Sequence, residues 1–196
     1  MLNGIWAALA AVIAFAISAT VGKVLIPALH KLKYGQTILD IGPSWHKKKE
    51  GTPTMGGIMF IIAIVVSTAV VTTCLALFGS IYEPTGYSFG KEVFMMIVSL
   101  AMAFLYGAVG FLDDYIKVVK KRNLGLTAKQ KLGFQFGIAI AYVAVNAFFG
   151  YGSKTYIPFL GTVDFGSFAI VYYIISVIVI VGIVNAVNLA DGIDGL

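Results

Sequence analysis

The chain has 196 residues, of which 59% are hydrophobic and 12% are charged, whereas a water-soluble domain is roughly 45–50% apolar and about 25% charged. This composition excludes a water-soluble enzyme and an ordinary nucleic-acid-binding protein, and it indicates an integral membrane protein. The net charge of +5 does not by itself argue for nucleic acid, because its meaning depends on where the lysines lie.

Five apolar segments, taken in chain order, are long enough to cross a bilayer whose core of about 30 Å needs about 20 apolar residues per helix. We predict an all-α integral membrane protein, a polytopic helical bundle that forms a single transmembrane domain over residues 1–196. Residues 155–165 alternate as short strands do, and we predict a small periplasmic hairpin there. The predicted membrane helices are residues 4–29, 56–78, 93–112, 132–150 and 168–190.

The lysine and arginine residues indicate how the helices are oriented. The loops 30–55 and 113–131 contain five and six of them, whereas the two loops on the other side contain one each. Because basic residues favour the cytoplasmic side, we predict that both basic loops are cytoplasmic and that the N-terminus is outside. This placement accounts for the positive charge without nucleic acid.

Two adjacent carboxylates, Asp113 and Asp114, follow the third predicted helix. If that helix continues, Asp113 and Lys117 are neighbours at i,i+4. Adjacent carboxylates repel each other unless a cation compensates them, and Mg²⁺ prefers hard oxygen ligands of this kind. Two interpretations remain open, a magnesium site and a solvated helix end that lysines balance.

A second polar group closes the chain. Asn185, Asn188, Asp191 and Asp194 follow one another at three-residue intervals, with glycines after both aspartates. Unpaired amides at the end of an apolar helix are costly, and glycine allows close backbone approach. The spacing is typical of a lined site, and a helix C-terminus with a glycine stop is the alternative.

Two basic segments at helix starts complete the pattern. Gly56 and Gly57, after a run of lysines, could present backbone N–H groups to an anion; an ordinary basic loop is the alternative. Thr127 and Gln130 fit a capping box at the start of the fourth helix. Lys129 places a cation at the positive end of that helix, where anions are preferred. A bound phosphate would explain this lysine, and the positive-inside bias of cytoplasmic loops is the alternative. Carboxylates for Mg²⁺ and lysines for phosphates beside a membrane suggest phosphoryl transfer from a soluble donor to a lipid.

Four motifs carry a family resemblance in the family's order. The chain resembles the bacterial phospho-N-acetylmuramoyl-pentapeptide transferases, within the wider superfamily of polyprenyl-phosphate sugar-1-phosphate transferases. The proline-containing motif narrows the resemblance to these transferases. The motifs are KEGTPTMGG at 49–57, FLDDY at 111–115, GLTAKQKL at 125–132 and NAVNLADGIDGL at 185–196.

The resemblance implies an activity, a cofactor and partners. The family transfers phospho-MurNAc-pentapeptide from UDP-MurNAc-pentapeptide to undecaprenyl phosphate with Mg²⁺, which forms lipid I and UMP in peptidoglycan synthesis. It implies a multi-pass protein of the bacterial cytoplasmic (inner) membrane, with about ten helices, an active site on the cytoplasmic face and a homodimeric state. The five helices here would be the N-terminal half, which alone would be inactive.

The resemblance also implies roles for matching residues. It makes Asp113 and Asp114 catalytic, with Asp113 as the base toward the lipid phosphate, and it makes Asp114 and Asp191 the metal ligands. The residues implied to bind the donor nucleotide are Lys49, Thr54, Lys117, Lys121, Lys129, Asn185, Asn188 and Asp194.

Three alternatives stay open at this point. Direct in-line attack on the β-phosphate is favoured, because the lipid phosphate is already ionised near neutral pH, and a two-step route through an aspartyl phosphate is the other mechanism. A UDP-N-acetylhexosamine-1-phosphate transferase shares the aspartate motifs. A transporter or structural membrane subunit belongs to a different class, although the acids here lie near helix ends rather than mid-span.

Overall fold

The computed structural model describes residues 2–31, 56–78, 89–119, 125–150 and 152–190. Five of its helices are long and apolar enough to cross a membrane. The prediction of an all-α polytopic membrane protein is therefore confirmed. The helices are α1 (Leu2–Lys31), α2 (Ile58–Phe78), α3 (Phe89–Val119), α4 (Ala128–Phe149) and α5 (Ala169–Ala190).

The chain divides into two compact units. The first contains α1, α2 and the end of α3 from Gly110, and the second contains α3 up to Val109, followed by everything after Gly125. In the first unit α1 packs against α2. Gly22 is buried there, and a Cβ at that position would lie 3.1 Å from the Met59 sulfur, so the missing side chain allows the two helices to approach. In the second unit α4 packs against α5. The single transmembrane domain stays a prediction.

Helices α3 and α4 extend beyond the apolar segments that were predicted to cross the membrane, residues 93–112 and 132–150. The prediction of a loop over 113–131 was wrong at both of its ends. Helix α3 continues to Val119, where the pairing of Asp113 with Lys117 at i,i+4 favours a helix outside the hydrocarbon. Helix α4 begins at Ala128, directly after the predicted cap at Thr127. The other helix ends differ from the predicted ones by up to four residues.

The predicted hairpin near residues 155–165 is confirmed. Strands β1 (Lys154–Ile157) and β2 (Gly161–Asp164) are antiparallel. Leu160 N–H donates to the Ile157 carbonyl at 3.1 Å to close the turn, and Gly161 has a φ of 80°, a left-handed conformation that glycine adopts without steric cost.

Asp164 ties the hairpin to the start of α5. Its Oδ1 accepts from the Gly166 backbone N–H and from the Ser153 hydroxyl, both at 3.0 Å, and Lys154 Nζ lies 3.9 Å from its Oδ2. The Gly166 N–H, followed by the hydroxyl of Ser153 and the charge of Lys154, lowers the pKa of this carboxyl below its ordinary value. The folded hairpin therefore favours the ionised form of Asp164.

Hydroxyl groups inside the apolar helices bond to their own backbone. The hydroxyls of Thr20, Thr73 and Ser176 donate to the carbonyl four residues earlier, at 2.7–2.8 Å. Backbone and side-chain polar groups must find partners where no water is present. Large apolar side chains on every helix are exposed, as expected for surfaces that meet lipid or further helices rather than water.

Candidate active site

The adjacent carboxylates lie on the helical continuation of α3, in the first unit. Lys117 Nζ lies 2.6 Å from Asp113 Oδ2 and donates to Asp114 Oδ1 at 3.1 Å. One ammonium group therefore bridges both carboxylates, at i,i+4 and i,i+3 along the helix. The predicted neighbourhood of Asp113 and Lys117 is confirmed, whereas the second bond, to Asp114, was not foreseen.

The cluster Asp113–Asp114–Lys117, here called the carboxylate cluster, differs in exposure from one member to the next. The side chain of Asp113 is 14% exposed, against 33% for Asp114 and 39% for Lys117. Two carboxylates and one ammonium leave one net negative charge. Asp114 is the more accessible acid of the two.

Gly125 lies against Asp113, the least exposed member of this cluster. A Cβ at Gly125 would meet the Asp113 Oδ1 atom, and it would lie 2.7 Å from both Asp113 Cγ and the Asp113 backbone carbonyl oxygen. Only a glycine allows the backbone to pass this close. Sequence reasoning missed this contact, although the GLTAKQKL motif contains Gly125.

Thr127 forms the predicted capping box at the start of α4, in the second unit. Its hydroxyl accepts from the Gln130 backbone N–H at 3.3 Å, and the Gln130 side chain accepts from the Thr127 N–H at 3.0 Å. Lys129 lies in the first turn with an exposed side chain. The helix dipole disfavours a cation there, and the donor-binding role of Lys129 stays a prediction.

The two asparagines near the end of α5 have different surroundings. Asn185 is half-buried, and its Nδ2 group donates to Gln135 Oε1 of α4 at 2.7 Å and to the Val181 carbonyl at 2.8 Å. Asn188 is exposed. The partner Gln135 was missed, although a glutamine within an apolar membrane segment is a functional signal in its own right.

The remaining candidates lie outside the described residues, and their roles stay predictions. Among the described residues no group of three or more His, Cys, Asp or Glu side chains could hold a metal ion. Asp113 and Asp114 supply the hard oxygen donors that Mg²⁺ prefers, and Mg²⁺ usually takes one or two protein carboxylates, so the cluster fits a partial magnesium site. The candidates outside the described residues are Lys49, Thr54, Lys121, Asp191 and Asp194.

Comparison with known proteins agrees with the motifs. Residues 49–61 match the phospho-N-acetylmuramoyl-pentapeptide-transferase signature 1. The chain is 44% identical to each of three proteins named phospho-N-acetylmuramoyl-pentapeptide-transferase, from Bacillus subtilis strain 168, Bacillus licheniformis and Bacillus cytotoxicus. These matches cover 93–94% of this chain and 51–52% of the relatives' own length. The chain thus spans about half the length of the curated relatives it matches.

The family match covers the second part of the sequence. Residues 93–196, just over half of the chain, match glycosyl transferase family 4. This region includes the carboxylate cluster, the capped start of α4 and the polar end of α5. The resemblance drawn from the four motifs is confirmed, and the chain belongs to glycosyl transferase family 4.

Proposed function

We propose that the complete protein transfers phospho-MurNAc-pentapeptide from UDP-MurNAc-pentapeptide to undecaprenyl phosphate, forming lipid I and UMP. Two findings support this assignment of substrates: the 44% identity to proteins named phospho-N-acetylmuramoyl-pentapeptide-transferase, and the matching signature at residues 49–61. The carboxylate cluster carries the proposal, because it offers paired acids and a bridging lysine on a helix that continues past the apolar segment.

The proposed reaction is a direct in-line displacement. An oxygen of the lipid phosphate forms a bond to the β-phosphorus of the donor, and the bond from that phosphorus to the bridging oxygen breaks, which releases UMP. The second pKa of the lipid phosphate is about 6, so this phosphate is mostly ionised at neutral pH. Asp113, the less exposed acid, therefore orients the lipid phosphate and accepts its remaining proton when one is present.

A divalent magnesium ion is proposed to assist, held by Asp114 and Asp191. When bound, Mg²⁺ stabilises the negative charge that develops on the leaving phosphate. Lys117 lowers the repulsion between Asp113 and Asp114. Its side chain is 39% exposed, so a phosphate oxygen can also approach its ammonium group. Removal of Mg²⁺ by a chelator is expected to abolish UMP release, with recovery when the ion is restored.

Donor binding is proposed to depend on basic and amide side chains. Lysines attract the diphosphate as point charges, and amides hydrogen-bond to the uridine and sugar. The exposed positions of Lys129 and Asn188 support this use. The proposed donor-binding residues are Lys49, Thr54, Lys117, Lys121, Lys129, Asn185, Asn188 and Asp194.

The proposed setting is the bacterial inner membrane. The five apolar helices make the protein multi-pass, and the lysine count favours an outside N-terminus and a cytoplasmic active site. The cytoplasm is the side on which a soluble nucleotide donor is available. A homodimer of the complete protein is proposed as its assembly state, which light scattering in detergent can test.

The decisive experiment measures UMP release by the complete protein in detergent. Undecaprenyl phosphate and Mg²⁺ are supplied with either UDP-MurNAc-pentapeptide or UDP-GlcNAc. Release from the pentapeptide donor alone, lost in Asp113→Asn and Asp191→Asn, is the expected result. The matched control is Glu92→Gln, which removes an acid from the first turn of the same helix and is expected to retain activity.

The other outcomes favour the alternatives. Release from UDP-GlcNAc would identify a UDP-N-acetylhexosamine-1-phosphate transferase. No release from either donor by folded protein would favour a transporter or a structural subunit. Phosphate trapped on an aspartate during turnover would replace direct attack with the two-step route.

A further inference from the structure

Gln135 is the most deeply buried polar side chain among the described residues, at 1% exposure. It lies in α4 and begins a buried stripe that Ala139 and Val143 continue. Burying an amide in an apolar environment is costly unless it is hydrogen-bonded, and a polar residue inside a membrane span is a functional candidate by default. Its partners therefore indicate what it does.

Two other helices of the second unit bond to this one residue. The Gln135 side-chain Oε1 accepts from Asn185 of α5 at 2.7 Å, and its backbone carbonyl accepts from the Tyr106 hydroxyl of α3 at 2.8 Å. Tyr106 belongs to the part of α3 that lies in the second unit. Position 135 therefore joins α4 by hydrogen bonds to α5, against which it packs, and to Tyr106 of α3.

The chemistry of the contacts decides how the amides are oriented. The amide group of Asn185 that faces the Val181 carbonyl, at 2.8 Å, must be the NH₂ group, because a backbone carbonyl only accepts. The same NH₂ group meets Gln135, which must then present its oxygen. Both N–H donors of Asn185 are therefore used within the protein.

We propose that Gln135 is a positioning residue: it holds Asn185 and thereby fixes the rotation of α5 about its axis. Asn188, three residues further along α5, is exposed, and the rotation of α5 decides where it points. This inference rests on the proposed function, in which Asn188 binds the donor. Because both N–H donors of Asn185 are used within the protein, a contact between Asn185 and the donor would have to use its Oδ1 oxygen.

The test measures UMP release by the complete protein, with KM determined separately for the nucleotide donor and for the lipid. Gln135→Met removes the acceptor while keeping the length of the side chain. If α5 rotates and Asn188 loses its hydrogen bond to the donor, kcat/KM for the donor is expected to fall about tenfold through a higher donor KM, the loss that one hydrogen bond produces. The lipid KM stays unchanged. Gln135→Glu is neutral when its carboxyl is buried in an apolar environment and still offers an oxygen acceptor, so it is expected to recover most of the loss.

A double variant tests whether the two amides act together. Asn185→Leu alone should resemble Gln135→Met, and the double variant should be no worse than the worse single one, since coupled residues are not additive. Asn146→Leu is the matched control, because Asn146 of α4 donates to the Tyr142 carbonyl of its own helix at 3.0 Å. It is expected to leave the donor KM unchanged.

Several results would overturn the proposal. They are a wild-type donor KM in folded Gln135→Met, and losses that multiply in the double variant. If Gln135→Met does not fold, Gln135→Asn shortens the side chain and should raise the donor KM; an unchanged value would also overturn the proposal. If the wild type releases no UMP, the proposed function fails instead. In that case thermal unfolding still tests the coupling between Gln135 and Asn185, because additive effects of the same variants on unfolding would refute it.

Discussion

Replacing Gly125 by alanine tests whether the carboxylate cluster depends on its close backbone neighbour. The added Cβ would lie 2.7 Å from Asp113 Cγ and from the Asp113 carbonyl oxygen, and still closer to Oδ1, whereas ordinary contact begins near 3.4 Å. Residue 125 and Asp113 must therefore move apart by about 0.7 Å. The carbonyl oxygen belongs to helix α3 and moves little, so the carboxylate and the segment at Gly125 take up the displacement.

This displacement gives the expected size of the effect. A misplacement of about 1 Å at a reacting group costs about 10²-fold in rate, so Gly125→Ala is expected to lower kcat for UMP release about ten- to hundredfold. Overpacking of this kind costs about 1–3 kcal/mol of stability, and we expect the protein to fold. The assay combines UMP release by the complete protein with its thermal unfolding in detergent.

Gly110→Ala is the matched control for Gly125→Ala. Gly110 lies three residues before Asp113 on the same helix, and a Cβ there would meet nothing within 4 Å. Alanine is favoured over glycine in a helix interior by about 1 kcal/mol, so this variant should be fully active and at least as stable. Wild-type turnover in folded Gly125→Ala, or an equal loss in Gly110→Ala, would refute the reasoning.

Three further predictions concern charge, capping and pH. Lys117→Met should lower kcat/KM about tenfold. A hydrogen bond to a charged group is worth about 1.5–3 kcal/mol, and solvent screening reduces this value because the Lys117 side chain is 39% exposed. Lys117→Arg should retain most activity, and wild-type kcat/KM in Lys117→Met would contradict the prediction. Thr127→Ala should lower the free energy of unfolding by about 0.5–2 kcal/mol through loss of the cap, while Thr127→Ser should not, as thermal unfolding can show. Because the pKa of Asp164 is lowered in the folded hairpin, its stabilisation is complete above the ordinary carboxyl pKa of about 4 and is lost as the pH falls through the lowered value. Amide exchange of the hairpin should show this loss, and Asp164→Asn should remove the pH dependence.

The fold could be predicted from the sequence to the extent that hydropathy determines it. Long apolar runs specify membrane helices because every backbone group must be satisfied within the bilayer. The helix ends were less predictable. Charge at Asp113 suggested a loop, yet the helix continues to Val119 with Lys117 paired to both acids. Local chemistry did identify the cap at Thr127, whose partner is only three residues away.

The candidate site could be predicted only where its contacts are local. The pairing of Asp113 with Lys117 follows from helical spacing. The contact between Gln135 and Asn185 joins residues 50 positions apart and depends on how two helices pack. The approach of Gly125 to Asp113 likewise depends on the path of the chain after α3. Neither contact has a periodic signal in the sequence, so both required the structure.

The length of α3 explains why a helix rather than a loop carries the carboxylates. Its 31 residues span about 46 Å at a rise of 1.5 Å per residue, which exceeds the hydrocarbon thickness of about 30 Å. If the apolar part begins after Glu92, which lies in the first turn, about 20 residues bring the helix to Asp113 at the opposite boundary. In the proposed reaction, the phosphate of the lipid lies at that depth, where a soluble nucleotide can also reach it. Continuing the helix to Val119 holds Asp113 on a helix at the boundary, and rigid placement is what the proposed transfer between two phosphates requires.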